Sequence, residues 1–244
     1  MLKHYVIGDV HGEYEMLMAL MSKLPEDARV FFVGDLVNRG KNGKKVMEFV
    51  RNHAYGVVKG NHEVYMLFQA KQFFSLLNKN KLYDLFQYVG GSPILQPYKI
   101  VKRDKSKTFS FNIDEERLEE LKRDLRWIKT LSVTLELESI KGYDKPIVLS
   151  HASVGDYWHL RESNRKDFEY HALSNRFFPS KQSPIFNIFG HLAVDEVVKE
   201  EDFVCVDTGC AKRYDAKLSA YCIETKEVVD VTREESLLLA LESA

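Results

Sequence analysis

The sequence contains little cysteine, with three residues among 244. An odd number cannot form a fully paired disulfide framework, which excludes a small disulfide-stabilised secreted scaffold. Cys205, Cys210 and Cys222 all lie in or beside apolar stretches, and we interpret them as reduced thiols of the core. Cytoplasm is therefore the expected compartment.

The chain also lacks an excess of charge of either sign and a long apolar run. Its 35 basic and 36 acidic residues give a net charge of −1, so no global field attracts it to nucleic acid or to an anionic membrane. No apolar segment has the length needed to cross a bilayer. A polar, glycine-rich motif begins at residue 8, so we expect no signal peptide. Neither nucleic acid nor a membrane is an expected partner.

What is present is a regular alternation of strand and helix patterns. Short apolar runs at residues 3–7, 29–33 and 55–58 alternate with segments whose apolar residues recur at helical spacing. This alternation is typical of βαβ units around a parallel sheet, which binds ligands outside the carboxyl ends of its strands. Closely spaced strands after residue 146 predict a second, mixed or antiparallel sheet packed against the first. We predict an α/β fold, with residues 1–244 forming a single domain.

The middle of the chain has a different character. Residues 98–111 contain a KRDKSK segment that indicates an exposed loop or hairpin tip. Asp114 is expected to cap a helix over residues 115–129, which carries a stripe of apolar residues. Strict alternation over residues 131–137 predicts a strand with one buried face.

Each of the first three predicted strands is followed by a loop that contains glycine and metal-binding residue types. These loops are GDVHG at residues 8–12, GDLVNRG at 34–40 and GNHE at 60–63. Two later histidines, His151 and His191, also follow predicted strands. Carboxylate, amide and imidazole groups suit borderline-hard divalent metals. Glycine lets the backbone turn sharply enough for short side chains to converge.

Taken one at a time, these motifs have ordinary structural interpretations. A Gly-Asp pair after a strand is usually only a turn, and a buried histidine is more often a packed core residue than a ligand. Five strand ends with ligand-type residues on one edge would nevertheless be a poor way to build a stable core. The combination favours a metal site.

The ordered motifs GDVHG, GDLVNRG and GNHE, with later histidines in LSHA and FGH, resemble the phosphoprotein phosphatase family of calcineurin-like metallophosphoesterases. Chain length and the late VDTGC motif are most similar to its compact bacterial and bacteriophage members. That branch includes the lambda-phage phosphatase and is related to the diadenosine tetraphosphate hydrolases. The resemblance covers residues 3–64 and 146–223 and implies a sandwich of two mixed β-sheets flanked by helices.

The same resemblance implies two divalent metal ions, with Asp35 bridging them and a metal-bridging water acting as nucleophile. The implied ligands are Asp9, His11 and Asp35 for the first ion, and Asp35, Asn61, His151 and His191 for the second. Similarity to the bacterial and bacteriophage branch favours Mn²⁺, although Fe²⁺ and Zn²⁺ suit the same ligand types.

The resemblance also implies roles for residues beside the metal ligands. His62 is similar to the general acid that protonates the departing oxygen, and Arg39 to the phosphate-binding arginine of the second motif. A second such arginine is expected after the first late histidine. Arg176 is the best match, with Arg161 and Arg165 as weaker candidates.

Two positions give opposite indications about the substrate. Protein phosphatases of this family usually have Asp where this chain has Asn38, and diadenosine tetraphosphate hydrolases also contain non-acidic residues there. We expect Asn38 to accept a hydrogen bond from the ring of His62 and, being neutral, to give it a lower pKa than Asp would. Glu63 in GNHE is instead typical of protein phosphatases, since the dinucleotide hydrolases favour Asp.

The function expected from the sequence is metal-dependent hydrolysis of phosphate monoesters by a serine/threonine protein phosphatase. The substrate would be a phosphorylated protein or a small phosphoester. One alternative is hydrolysis of diadenosine tetraphosphate or another nucleotide phosphoanhydride. An alternative of another class is a non-catalytic metal-binding module, which the simultaneous presence of all six implied ligands, His62 and Arg39 disfavours.

Overall fold

The structure is a computed structural model that describes residues 2–79, 81–103, 111–180 and 182–242. Its strands are β1 His4–Ile7, β2 Arg29–Phe32, β3 Gly56–Val57, β4 Val101–Arg103, β5 Phe111–Ile113, β6 Thr134–Glu136, β7 Ile147–Ser150, β8 Phe186–Phe189, β9 Val198–Lys199, β10 Phe203–Cys205, β11 Lys217–Cys222 and β12 Val228–Thr232. Its helices are α1 Tyr14–Ser22, α2 Gly43–His53, α3 Asn61–Asn78, α4 Leu82–Gly90, α5 Glu115–Thr130, α6 Leu160–Ser163, α7 Arg165–Ser174 and α8 Arg233–Glu242.

Two five-stranded mixed sheets form the centre of the fold. The first has the order β12-β11-β1-β2-β3, with β1, β2 and β3 parallel and β11 antiparallel to β1. The second has the order β6-β7-β8-β10-β9, with β7, β8 and β10 parallel. The carboxyl ends of neighbouring parallel strands lie at one edge of their sheet, and all the predicted metal ligands follow such ends.

Apolar side chains from both sheets pack against each other and make the structure a sandwich. Val6 and Phe31 of the first sheet share one buried cluster with Leu149, Ile188 and Val204 of the second. Because side chains alternate across a strand, the next residues point to the outer faces. The outer face of the first sheet packs on α1, α2, α3 and α5 in the largest core cluster, and β7 packs on α7.

The prediction of a sandwich of mixed sheets flanked by helices is confirmed. Asp114 caps α5 by accepting a hydrogen bond from the backbone N–H of Arg117 at 3.2 Å. Of the alternating segment 131–137, only residues 134–136 pair as a strand. Ser132 pairs instead with Val58, just after β3, through a single isolated bridge. β4 and β5 form the base of the expected hairpin, and its tip, residues 104–110, lies outside the described residues.

Two further sequence-based expectations can be compared with the structure. All three cysteines are free and buried, which confirms the interpretation as core thiols. No helix in the described ranges is both long and apolar enough to span a bilayer.

Candidate metal centre

The predicted site residues converge at the carboxyl ends of five strands from the two sheets. Asp9 and His11 follow β1, Asp35 follows β2, and Asn61 begins α3 after the short loop that follows β3. His151 and His191 follow β7 and β8 in the second sheet. The loops are bonded to each other: His11 N donates to Asp35 O at 2.8 Å, and Gly190 N donates to His151 O at 2.8 Å. Residues far apart in sequence therefore meet in one buried cluster.

The loops fit together because their backbone conformations are unusual. His11, Asp35, Asn38, Arg39 and His191 all have positive φ, between 48° and 75°. Such left-handed residues cost free energy unless the surroundings impose them, and they concentrate at functional sites. Glycine permits the closest approaches, since a Cβ at Gly34, with φ of +92°, would overlap the backbone nitrogen of Gly60.

Ligand-type atoms form two groups that share Asp35. In the first group, Asp35 Oδ2 lies 3.7 Å from His11 Nε2 and 3.7 Å from His62 Nε2. Asp9 Oδ2 lies 3.8 Å from His11 Nε2. The structure thus brings Asp9, His11 and Asp35 together as expected, and it adds His62, the expected general acid, to the same group.

The second group contains Asp35, His151 and His191. His151 Nε2 lies 3.5 Å from Asp35 Oδ1, 2.8 Å from Asn61 Oδ1 and 3.1 Å from His191 Nδ1. Asp35 is the one carboxylate common to both groups, as its implied bridging role requires. All four residues implied as ligands of the second ion therefore lie together.

Backbone hydrogen bonds determine which way the histidine lone pairs point. His11 Nδ1 lies 3.2 Å from Val37 O, and His151 Nδ1 lies 2.9 Å from Val33 O. A carbonyl can only accept, so each Nδ1 carries the proton and each Nε2 presents a lone pair to the cluster. The Nε2 lone pair of His151 therefore faces the amide oxygen of Asn61 at 2.8 Å without a proton between the two atoms, an arrangement that a cation stabilises.

Several atoms of the cluster have no partner. Asp9 Oδ2, His11 Nε2 and His191 Nε2 are buried and form no hydrogen bond within the part of the chain that the structure describes. Unpaired buried polar atoms are costly and rare. The donor set of carboxylate, amide and imidazole groups suits a divalent transition metal. The residues present therefore fit the metal ions that the sequence implies.

Burial also favours protonation states of the cluster that suit metal binding. It lowers the pKa of His11 to about 2, of His191 to about 3 and of His151 to about 4, so these rings are neutral, which is the metal-binding form. Burial also raises the pKa of Asp9 and Asp35, and the charge of Asp207 adds to both shifts. Crowded carboxylates beside neutral imidazoles attract a cation.

Sequence reasoning missed one ion pair at this centre. Asp207, after β10, is completely buried and binds Lys212 through a 2.6 Å contact between Oδ2 and Nζ. Burial is the main cause of the lowered pKa values of the four site histidines, and the charge of Lys212 lowers them further. The same charge partly offsets the rise that burial causes in the pKa of Asp9. Asp207 belongs to the VDTGC motif that carried part of the resemblance, but nothing in the sequence indicates that Lys212 folds back onto it.

Asn38 contacts His62 in the direction opposite to the one expected. Arg39 N donates to Asn38 Oδ1 at 2.8 Å, so the Oδ1 atom faces that backbone N–H and the amide Nδ2 faces the ring. Nδ2 lies 2.8 Å from His62 Nδ1 and can only donate. The expectation that Asn38 accepts a ring proton is therefore wrong, because the left-handed turn at Arg39 already uses its oxygen. His62 consequently carries its proton on Nε2.

The candidate arginines differ in their surroundings. Arg39 and Arg176 are exposed, and their guanidinium groups form no hydrogen bond or ion pair among the described residues. Burial is the main cause of the lowered pKa of His62, and the charge of Arg39 is the second. The charge of Arg176 likewise adds to the effect of burial on the pKa of His191. Arg161 instead binds Glu162 at 3.0 Å and Arg165 binds Glu169 at 2.7 Å. The structure thus favours Arg176 over the two weaker candidates.

Glu63 connects the second and third motifs. Its buried carboxylate accepts hydrogen bonds from the backbone N–H groups of Asp35 and Leu36, both at 2.8 Å, and of Gly60 at 2.9 Å. Glu63 therefore holds the loop of Asp35 against the start of α3, where Asn61 lies. Both carboxylate oxygens are thus engaged by the backbone of these loops.

Comparison with known proteins agrees with this geometry. The family model for calcineurin-like phosphoesterases matches residues 2–209. A symmetrical bis(5'-nucleosyl)-tetraphosphatase of Coxiella burnetii strain RSA 331 is 27% identical over 276 aligned positions, which cover 96% of this chain and 92% of the relative. The protein of the same name from Proteus mirabilis is 26% identical and covers 72% of this chain and 54% of the relative.

Solved structures share the fold. A crystal structure assigned to a diadenosine tetraphosphatase matches with a TM-score of 0.60 at 16% identity, covering 94% of this chain and 92% of that chain. A cold-active protein-tyrosine phosphatase of a Shewanella species matches with a TM-score of 0.54 at 14% identity, covering 96% and 80%. The fold and the clustered ligand-type residues define a metallophosphoesterase. The chain belongs to the calcineurin-like phosphoesterase family, which confirms the resemblance seen in its motifs.

Proposed function

We propose that this protein hydrolyses dinucleoside polyphosphates and cleaves diadenosine tetraphosphate symmetrically into two molecules of ADP. The relatives from Coxiella burnetii and Proteus mirabilis carry the name of this activity. Of the two substrate classes that the sequence left open, they favour the nucleotide phosphoanhydride over the phosphoprotein that we had expected first.

The residues proposed to hold two divalent metal ions are Asp9, His11, Asp35, Asn61, His151 and His191. When bound, such ions lower the pKa of a water and stabilise the charge that develops on phosphoryl oxygens. The protein contributes fixed lone pairs, because backbone carbonyls hold the rings of His11 and His151 in one tautomer. Little rearrangement is then needed when the ions bind.

The observation that carries the proposal is the hydrogen bond from the Asn38 amide to His62 Nδ1. An acceptor at this position would hold a proton on Nδ1 and stabilise the imidazolium, which is the acid needed to expel an alkoxide from a monoester. Asn38 instead supports a neutral ring. Cleavage of a phosphoanhydride releases a phosphate, which is a stable anion without protonation, so a neutral His62 suits this reaction better. The Nε2–H of His62 can still donate to a phosphoryl oxygen.

Two unpaired guanidinium groups add to the support for a polyphosphate. Arg39 is close enough to lower the pKa of His62, and Arg176 is close enough to lower that of His191, so a cationic group is within electrostatic reach of each group of ligand-type atoms. The planar donors of arginine match phosphoryl oxygens. A tetraphosphate offers oxygens on both sides of the bond to be cleaved, whereas a monoester offers them on one side only.

The glutamate in GNHE no longer argues for a protein phosphatase. The Glu63 carboxylate accepts hydrogen bonds from three backbone N–H groups, so the presence of Glu rather than the shorter Asp reflects the geometry of these loops. The remaining sequence clue to the substrate is Asn38, which agrees with the relatives.

A hydrolysis panel tests the proposal. Purified protein supplemented with Mn²⁺ would be given diadenosine tetraphosphate, a phosphoserine peptide and p-nitrophenyl phosphate, with Asp35→Asn as the inactive control. We expect the highest kcat/KM for the dinucleotide and ADP as its only nucleotide product. Faster release of phosphate from the peptide would overturn the proposal, and so would formation of ATP and AMP. Metal binding without turnover of any substrate would favour the non-catalytic module.

A further inference from the structure

Helix α3 exposes a run of large apolar side chains at the end that carries Asn61. Val64, Tyr65 and Phe68 are 39%, 46% and 56% exposed. The opposite side of the helix is packed in the core through Met66, among others. We refer to Val64, Tyr65 and Phe68 as the α3 stripe. Contiguous exposed apolar residues of this kind usually mark a binding surface.

The α3 stripe begins at the candidate metal centre. Its members stand three, four and seven residues after Asn61, and this spacing places all four on one helix face. Phe68 then lies about 10 Å along the helix axis from Asn61 at a rise of 1.5 Å per residue. The rings of Tyr65 and Phe68 are 6.4 Å apart and nearly parallel, with an angle of 16° between their planes. They present flat aromatic surface on the helix face that carries Asn61.

The charge near this surface defines the ligand that would fit. At the Asn61 end lie the positive end of the α3 dipole and the cluster that fits metal ions, and the exposed Arg39 follows Asn38, whose amide contacts His62 at 2.8 Å. Away from that end, the α3 stripe is apolar. A ligand complementary to both parts has an anionic end and a flat, apolar end, and a nucleotide has this chemistry.

We propose that the α3 stripe is the nucleobase platform of the site, with one base of the substrate stacked on Tyr65 and Phe68 while its phosphates occupy the metal centre. This inference rests on the proposed function and adds where the base is bound. Stacking on aromatic rings tolerates any base, because every base has a π-face. Recognition here would therefore select dinucleotides over simple phosphoesters without strict choice of the base.

The test compares ligands that differ only in the nucleoside. Calorimetric titration of the Mn²⁺-loaded protein would give dissociation constants for ADP and for pyrophosphate, in the wild type and in the variant Tyr65→Ala/Phe68→Ala. We expect ADP to bind about 10-fold more tightly than pyrophosphate in the wild type, as one stacked base provides. The double variant should lose this preference, while its affinity for pyrophosphate stays unchanged.

Kinetics supply the second measurement. For diadenosine tetraphosphate, the double variant should raise KM about 10-fold with little change in kcat, and a phosphoserine peptide without aromatic residues should not distinguish the wild type from the double variant. The conservative variants Tyr65→Phe and Phe68→Tyr keep the rings and should behave as wild type. Tyr55→Ala is the matched control, because Tyr55 is 60% exposed but precedes β3 at the opposite edge of the sheet.

The two proposals can fail separately. If the wild type does not hydrolyse the dinucleotide, the proposed function fails, yet the ratio of ADP to pyrophosphate affinity still tests the platform. An unchanged ratio in the double variant overturns the platform even where turnover is normal. If the double variant instead changes only the oligomeric state in gel filtration, the stripe is a subunit interface and the inference is wrong.

Discussion

At the scale of the residue, burial keeps the histidines of the candidate metal centre neutral, and backbone carbonyls aim two of their lone pairs inward. The carbonyls of Val37 and Val33 fix the tautomers of His11 and His151. Asn38 is oriented by the backbone N–H of Arg39 and donates to His62. Single hydrogen bonds thus decide which atoms can bind a cation and which can donate a proton.

Exchange of Asn38 for aspartate tests the role of this hydrogen bond. In Asn38→Asp, a carboxylate accepts a hydrogen bond from the protonated Nδ1 of His62, and the imidazolium becomes more stable. We expect kcat/KM for a phosphoserine peptide to rise about 10-fold relative to that for diadenosine tetraphosphate, which is less than the roughly 10²–10⁴-fold of a complete general acid because the neutral His62 can already donate. Asn38→Ala, which removes the contact without adding an acceptor, is the control. Equal effects of Asp and Ala on this ratio would contradict the mechanism.

The unpaired guanidinium group of Arg176 leads to a second prediction at this scale. Arg176→Ala should raise KM for diadenosine tetraphosphate by about 10-fold or more, because hydrogen bonds to charged groups contribute about 1.5–3 kcal/mol. Arg165→Ala should have little effect, since Arg165 is exposed and binds Glu169. Steady-state kinetics of both variants measure the difference. If Arg165→Ala were the more damaging change, Arg176 would not be the second phosphate-binding arginine.

At the scale of the element, the site depends on how closely strand ends approach each other. The loops after β1 and β2 exchange backbone hydrogen bonds, and Glu63 at the start of α3 binds the loop after β2. These contacts leave no space for a side chain at Gly34, where the backbone nitrogen of Gly60 is adjacent. The geometry of the cluster is therefore a property of loop packing.

Alanine at two glycines separates packing from backbone conformation. Gly34 and Gly142 have similar positive φ values of +92° and +97°, but nothing lies within 4 Å of a Cβ at Gly142. Gly142→Ala should therefore cost only the left-handed conformation, roughly 1–2 kcal/mol. Gly34→Ala should exceed about 4 kcal/mol, in the range of severe steric changes, and should abolish hydrolysis. Urea unfolding measures both values, and equal destabilisation would refute the role of close packing.

At the scale of the whole molecule, the sandwich joins the two halves of the site. Asp9, Asp35 and Asn61 come from the first sheet, whereas His151 and His191 come from the second. A bound cation would therefore connect both sheets. The assignment of residues 1–244 to one domain, and of the six side chains as metal ligands, stays a prediction.

Thermal stability should report on this connection. Mn²⁺ at 100 times its dissociation constant should stabilise the fold by about 2.7 kcal/mol, which corresponds to about 5–11 °C in Tm for a chain of this size. Treatment with EDTA should remove the gain, because the lone pairs of the buried cluster are then again without partners. Differential scanning fluorimetry measures the shift. Asp35→Asn should respond much less, and an equal response would place the ion elsewhere.

Several features were determined by the sequence alone. Alternating apolar runs predicted the α/β fold with its two packed sheets, because the period of apolar residues is a local property of the chain. GDVHG, GDLVNRG and GNHE located Asp9, His11, Asp35 and Asn61, since each motif is a short strand-loop unit. The cap at Asp114 was equally local.

Only the tertiary structure decided the contacts between distant segments. The Asn38 amide donates to the ring of His62 because the Asn38 oxygen already accepts a hydrogen bond from the backbone N–H of Arg39. The turn at Arg39 in its turn depends on how the loops pack. Three further features depend on which surfaces the fold covers. They are the ion pair of Asp207 with Lys212, the exposed and unpaired guanidinium group of Arg176 among the described residues, and the exposure of the α3 stripe. Residue types and spacing specify the available chemistry. The direction of a hydrogen bond and the exposure of a side chain are set by neighbours that the folded chain brings from elsewhere in the sequence.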